Sequence, residues 1–260
     1  MIDLNEAQTY RTLGFVLGFA ALLLWEWRAP RQSAVASRRT RWAANLSLLL
    51  VNSLATTTIC VLCFWFRTAL VEAPWWQPFT HAPALRLLVE LALLDAAIYW
   101  QHRLMHEIPW LWRFHQVHHS DLHLDVTSAS RFHLGEILLS GLFKLAVVLS
   151  LGISLTGLIV FEAVALLAAQ FQHANIRLRP ALERNLRRVM MTPLLHYLHH
   201  SQTTERRNTN YGTLLTLWDR VWATWCIRYE AEGRVGVPQY QQAEKLNLFT
   251  LLSMPFRRMS

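Results

Sequence analysis

Histidines at helical spacing are the feature that most constrains this chain. Eight of its twelve histidines fall in three sets: His102-x3-His106, His115-x2-His118-His119 and His196-x2-His199-His200. Residues three or four apart on a helix share one face, so each set presents its imidazoles to one side. Imidazole is a common metal ligand. We therefore predict helices whose histidines converge on metal, and eight ligands indicate two ions with about four nitrogens each.

The composition indicates a membrane protein. Of the 260 residues, 53% are hydrophobic and 16% are charged, whereas an average soluble domain has about 25% charged residues. The twelve tryptophans agree, because indole rings collect at membrane–water interfaces. The formal net charge of +8 would also suit a nucleic-acid-binding protein, but the arginines flank apolar segments and form no separate basic module. We predict the membrane as a partner, and no nucleic acid.

Apolar stretches give the candidate membrane segments, at 12–27, 43–66, 84–101 and 137–172. A cleaved signal peptide is the alternative for the first stretch, but the residues before it are not positively charged. The loop at 28–41 carries five arginines and no acid, which places it in the cytoplasm by the positive-inside rule. The N-terminus then lies outside, and the third segment ends on the cytoplasmic side where the first histidine set begins.

The last stretch is long enough for one span or for a hairpin of two short ones, with Gly152 near its middle. If all histidine sets serve one site, they emerge on one side of the membrane, and the number of crossings between them is even. We therefore predict a hairpin, either spanning or re-entrant, with Lys144 and Glu162 turned inward.

These features together predict an all-α integral membrane protein. We expect about four transmembrane helices, and the hairpin either spans the membrane or re-enters it. A helical cap on the cytoplasmic side would hold the histidine-rich two-metal site. One domain, 1–260, accounts for the chain, with 102–136 and 173–230 as the metal-site region. The segment 231–260 is a peripheral tail, apolar enough to lie in the membrane interface. The localisation is therefore integral membrane and multi-pass.

The histidines alone do not select a metal or a reaction. Imidazole suits iron, zinc, copper and nickel, and the absence of thiolates argues against a structural zinc knot. A two-metal site can drive hydrolysis through a bridging hydroxide or, with redox-active metals, activate oxygen. A position at the membrane surface favours oxidation of a lipid. A zinc-dependent lipid hydrolase and a non-enzymatic metal transporter or sensor are the alternatives.

Residues beside the first histidine set are candidates for orienting its imidazoles. Asp95, Tyr99, His102 and His106 lie along one helical stripe, and acids within membrane segments rarely face lipid. Asp95 is predicted to accept the second N–H of a ligating imidazole, with a bond to a neighbouring helix as the alternative. Glu107 is either a similar partner or a solvated carboxylate at a helix end.

The order of the motifs resembles the fatty acid hydroxylase/sterol desaturase superfamily. Besides the histidine sets, the similarity rests on Asp95-x3-Tyr99, Arg131-Phe-His133-x2-Glu136, His173-x-Asn175, Asn210-Tyr-Gly212 and Trp218-Asp219-Arg220, and it covers roughly residues 90–225. The resemblance implies a non-haem di-iron centre that uses O2 and two electrons to hydroxylate or desaturate a lipid C–H bond. It also implies a separate electron donor of the cytochrome b5 or ferredoxin type. Zinc in place of iron is an open alternative for the purified protein.

The resemblance extends the ligand set. It assigns metal ligation to the eight histidines of the three sets and adds His173 as a ninth ligand. His133 matches a less uniform position, where a ligand, an orienting residue and a surface histidine are all open. Asn175 is a further orienting candidate. The choice of lipid, whether a sterol, a fatty acyl chain or a related molecule, stays open, as do hydroxylation against desaturation and any need for a pterin.

Overall fold

The computed structural model describes residues 4–33, 36–68, 74–227 and 234–257, and this part of the chain is helical with no β-strand. The α-helices are α1 Leu4–Arg28, α2 Arg38–Thr68, α3 Pro83–Glu107, α4 Pro109–His119, α5 Leu134–Leu151, α6 Leu155–His173, α7 Pro180–Leu186, α8 Pro193–His199, α9 Thr204–Arg207, α10 Leu217–Val221 and α11 Leu248–Ser253. Short 3-10 helices lie at Pro74–Phe79, Val126–Ser130, Ala243–Lys245 and Met254–Phe256. The predicted all-α class is confirmed for the described residues.

A proline sets the corner between α3 and α4. Ile108 precedes Pro109 and adopts an extended conformation, with φ −93° and ψ 116°, because a residue before proline is disfavoured in the helical region. The chain turns there and starts α4 at once. This corner folds the histidines of α4 back against those of α3.

The predicted hairpin is present as α5 and α6. Gly152 ends α5 in the left-handed conformation, with φ 61° and ψ 33°, which glycine adopts without steric cost. Ser154 caps α6 by accepting a hydrogen bond from the Gly157 N–H at 2.9 Å. The carboxylate of Glu90 in α3 accepts from the backbone N–H and the hydroxyl of Ser154, at 2.8 and 2.6 Å. This buried acid therefore holds the turn in place.

Two helices in the described residues, α5 and α6, are long and apolar enough to cross a membrane. The first packs mainly on α2, and the second packs on α1 and α3. Lys144 and Glu162 form an ion pair between the two helices, and both are only partly exposed. The predicted segments 12–27, 43–66 and 84–101 lie within α1, α2 and α3. The expectation of about four transmembrane helices remains a prediction.

The tail is partly built into the core. Leu246, Leu251 and Met254 are buried against Ala44 of α2 and Val117 of α4. Two aromatic residues on the same segment, Phe249 and Phe256, are largely exposed. The predicted tail includes 231–233 and 258–260, which lie outside the described residues.

Candidate metal centre

Nine buried or half-buried histidines form two compact groups. Within each group, one ring nitrogen per residue lies within 4.8 Å of the others. The first histidine group contains His102, His106, His115, His119 and His199, and the second contains His118, His173, His196 and His200. The structure thus brings together all eight histidines of the three sets, and His173 joins them.

Helix geometry divides two of the three sets between the groups. Successive residues on an α-helix are rotated by about 100° around the helix axis. Relative to a given residue, the residue three positions later therefore lies to one side and the residue four positions later lies to the other side. On α4, His115 and His119 enter the first group while His118 enters the second. At the end of α8, His199 enters the first group while His196 and His200 enter the second.

The two groups are adjacent and form one continuous site. The rings of His119 and His200 stack with centroids 4.1 Å apart and planes at 15°. The ring centroid of His196, in the second group, lies 5.4 Å from that of His199, in the first. Two ions held by these groups would therefore be neighbours, as in other two-metal sites.

Three rings of the first group are oriented by hydrogen-bond acceptors that lie next to their Nδ1 atoms. His102 Nδ1 lies 2.8 Å from the Tyr211 carbonyl oxygen, and His199 Nδ1 lies 2.8 Å from that of Thr209. His115 Nδ1 lies 2.6 Å from Glu136 Oε1. An acceptor at Nδ1 holds the proton there and leaves Nε2 free to ligate.

Buried ring nitrogens without partners fit a cation in the first group. Among the described residues, Nε2 of His115 and of His199 has no hydrogen-bond partner, and neither ring nitrogen of His106 or His119 has one. A buried polar atom without a partner is unfavourable, and a metal ion would satisfy these lone pairs together. The donor set therefore fits the metal that the sequence predicts.

The second group shows the same fit. His196 Nε2 lies 2.9 Å from His173 Nε2 and 3.1 Å from His200 Nε2. Nitrogens bound at 2.0–2.1 Å to one ion are about 3 Å apart when the angle at the ion is near 90°. His173 Nδ1 contacts the Ser128 hydroxyl at 2.9 Å, and His118 Nδ1 lies 3.3 Å from the Arg131 carbonyl oxygen.

Burial favours the neutral form of His102, His119 and His200. Burial, together with the nearby His115, lowers the pKa of His102 to about 3. Burial first, and neighbouring imidazoles second, lower the pKa of His119 and His200 well below the ordinary value. Neutral imidazole is the form that ligates metals, so the site is prepared for a cation at neutral pH.

Asp95 has partners other than the one we expected. Instead of an imidazole, its carboxylate accepts from the backbone N–H groups of Leu214 and Leu215, at 2.9 and 3.1 Å, and from Trp218 Nε1 at 2.8 Å. Asp219 accepts from the N–H groups of Tyr211 and Gly212 in the same loop. These two carboxylates hold the loop whose carbonyl oxygens orient His102 and His199, because the loop brings its backbone N–H groups within hydrogen-bond distance of both acids.

The remaining orienting candidates also contact other groups. The Tyr99 hydroxyl is 2.7 Å from Thr224 Oγ1, and Glu107 pairs with Arg103 at 2.7 Å. The Asn175 side chain donates to the Gln32 carbonyl oxygen at 2.8 Å and lies 3.2 Å from His123 Nε2. None of these contacts reaches a grouped histidine, so an orienting role for the three residues stays a prediction.

His133 lies outside both groups. Its Nδ1 accepts a hydrogen bond from the Gly135 N–H at 2.9 Å and so caps α5. Its Nε2 is 3.1 Å from the Leu252 carbonyl oxygen in the tail. His81 is exposed and His123 is buried away from the grouped nitrogens.

In the first histidine group, Glu136 and the carbonyl oxygens of Thr209 and Tyr211 are the orienting groups that we did not identify from the sequence. The signal for Glu136 was a lone acid at the start of a strongly apolar segment, three residues after a histidine. The two carbonyl oxygens have no sequence signal, because every residue carries one.

Comparisons with known proteins agree with these features. The family model described as fatty acid hydroxylase matches residues 87–224, which contain both histidine groups. The ornithine lipid hydroxylase OlsE of Rhizobium tropici is 34% identical over 145 residues, 54% of this chain and 42% of that protein. Human alkylglycerol monooxygenase is 27% identical over 197 residues, 75% of this chain and 40% of that protein.

Human cholesterol 25-hydroxylase is 27% identical over 151 residues, 55% of this chain and 54% of that protein. The matched regions thus span 40% to 54% of the length of these three relatives. No solved structure matches the chain significantly.

Proposed function

Because this chain belongs to the fatty acid hydroxylase family, we propose that it is a membrane-bound non-haem di-iron enzyme that uses O2 to hydroxylate or desaturate a lipid. The observation that carries the proposal is the pair of adjacent histidine groups. Several buried ring nitrogens of the first group lack partners, and three Nε2 atoms of the second lie at spacings that suit one ion. The names of the three relatives support a lipid as substrate, since they refer to ornithine lipids, alkylglycerols and cholesterol.

Each histidine group would hold one iron. The ligands would be the nine grouped histidines, named above. His133 is left out of this set, because both of its ring nitrogens already have partners. A pair of redox-active metals supplies the activation of O2 and the removal of a hydrogen atom from an unactivated C–H bond.

The chain's own contribution is to fix the imidazoles before the metal arrives. Glu136 and the carbonyl oxygens of Thr209 and Tyr211 keep a proton on Nδ1 of their three histidines. Each Nε2 is then an acceptor that points at the site. The electrons would come from a separate donor of the cytochrome b5 or ferredoxin type.

The arginine-rich loop supports a cytoplasmic position for the site. The Arg31 N–H donates to the Asn175 carbonyl oxygen at 3.0 Å, two residues after His173. Arg41 pairs with Asp121 at 2.5 Å, two residues after His119. Loops rich in arginine lie in the cytoplasm, and this loop packs against the histidine region. We propose that α1, α2 and α3 cross the membrane together with the α5–α6 hairpin.

Metal analysis on detergent-purified protein tests the proposal. We expect near two irons per chain in the wild type and in the His81→Ala control, and loss of iron in His118→Ala/His199→Ala, which removes one ligand from each group. His133→Ala should keep both irons. Well-folded wild-type protein without any metal would refute the site.

Turnover separates the proposed enzyme from its alternatives. Iron-loaded protein with a reductant and O2 should convert a membrane lipid into a product with one added oxygen atom or two fewer hydrogen atoms. Two zinc ions, and no O2-dependent turnover after iron reconstitution, would favour the zinc-dependent hydrolase. Bound metal with no lipid turnover of either kind would favour a transporter or sensor.

A further inference from the structure

A polar cavity of about 320 Å³ lies beside the first histidine group. Its lining includes Trp112 and Gln116 of α4, Arg207 of α9, and Tyr240 and Arg257 of the tail region. Ligand sites in proteins have volumes of about 300–1,000 Å³, so the cavity is large enough for the polar part of a small molecule or of a lipid.

Among the described residues that line this cavity, the charged side chains are all positive. Two arginines contribute, and no lining residue is acidic. Arg207 stacks over the Trp112 ring, with 4.4 Å from the guanidinium carbon to the ring centroid. Its Nε is buried and has no hydrogen-bond partner. A buried charged donor without an acceptor is unfavourable, and an anion in the cavity would satisfy it.

We propose that this cavity binds a phosphate or carboxylate group through Arg207 and Arg257. Charge-assisted hydrogen bonds from a guanidinium to such groups are strong and directional. The group could belong to a free anion or to the head of an anionic lipid. The exposed Phe256 beside Arg257 is compatible with a lipid, because exposed aromatic residues next to basic ones are common at membrane interfaces.

One indole ring separates the bound anion from the histidines. The Trp112 centroid is 5.1 Å from that of His106 and 5.3 Å from that of His119. The anion would therefore lie outside the ligand set of the first histidine group. Binding here requires neither iron nor lipid oxidation, so this inference and the proposed function can fail independently.

Binding measurements on the intact protein test the cavity. Inorganic phosphate is titrated calorimetrically into protein in detergent. In parallel, retention of dioleoylphosphatidic acid is measured by native mass spectrometry after extraction from nanodiscs that contain it. The variants are Arg207→Gln and Arg257→Gln. Arg206→Gln is the matched control, because Arg206 is on the same short helix but does not line the cavity.

We expect binding to weaken about tenfold or more in Arg207→Gln and Arg257→Gln and to stay unchanged in Arg206→Gln, at equal metal content. If only phosphate binds, and its binding depends on the arginines, the ligand of the cavity is a free anion. If the lipid is retained in an arginine-dependent way, the ligand is a lipid head group. If neither ligand binds, or if both variants bind like the wild type, the proposal is overturned. Arg257 is exposed, so its variant keeps the test valid should Arg207→Gln fold poorly.

Discussion

Glu136→Gln tests whether a carboxylate tunes the metal affinity of the first histidine group. His115 Nδ1 and Glu136 Oε1 are 2.6 Å apart, and the two side chains are only 3% and 5% exposed. The substitution keeps the shape of the side chain and removes its charge. The other carboxylate oxygen, Oε2, is buried without a hydrogen-bond partner.

Both orientations of the new amide weaken metal binding. If its oxygen faces His115, a neutral acceptor replaces a charged one, and the bond loses roughly half its strength. If its nitrogen faces His115, the ring proton moves to Nε2, which then cannot ligate. Loss of such outer partners typically weakens metal binding about 10- to 100-fold, or about 1.4–2.7 kcal/mol.

Competition with a chelator measures this effect. At a chelator concentration that leaves the wild type fully loaded, Glu136→Gln should retain about one iron per chain, because the second histidine group is untouched. Glu107→Gln is the matched control: this carboxylate adjoins His106 in sequence but pairs with Arg103, so both metals should stay. Circular dichroism confirms that the variants are folded.

Equal metal retention by folded Glu136→Gln and wild type would refute the role of Glu136. Equal loss in Glu136→Gln and Glu107→Gln would also contradict it, since the effect would then follow general charge rather than contact with the ring.

Three further perturbations affect stability. Metal-free protein should melt at lower temperature as the pH falls from 7 to 5. The pKa of His102 in the folded protein is lowered to about 3, so in this pH range only the unfolded state gains a proton at that residue. Each such histidine lowers the free energy of unfolding by about 1 kcal/mol per pH unit. A flat profile would contradict neutral rings. Asp95→Asn should destabilise by about 1–3 kcal/mol, because an amide cannot accept all three donors, whereas wild-type stability would contradict the loop contacts. Gly152→Ala should destabilise by about 1 kcal/mol, since φ is 61° there, and an unchanged melting temperature would contradict the left-handed turn.

Helical periodicity and hydrophobicity allowed much of this protein to be predicted. The spacing of His102 and His106 indicated a shared face, and the structure brings both into one histidine group. The argument from an even number of crossings predicted the hairpin around Gly152, which is present. Both inferences depend on neighbours along the chain, and such local relations are encoded in the order of the residues.

The division of the histidines into two groups was decided by tertiary structure. His118 and His119 are adjacent in sequence and serve different groups. Which group each ring enters depends on how α3, α4, α6 and α8 pack against one another. The same packing brings the Tyr211 carbonyl oxygen, 109 positions away, to His102.

The sequence by itself therefore determined the helical class, the likeness to a metal-binding family and the set of histidines that come together. Tertiary structure alone decided which ring shares a group with which, and what orients each of them. The reason is physical: side-chain spacing along a helix is a local property, whereas a bond from His199 to the carbonyl oxygen of Thr209, or from Asp95 to a distant loop, exists only after the helices have packed. A backbone carbonyl is present at every residue, so its role is set by position alone.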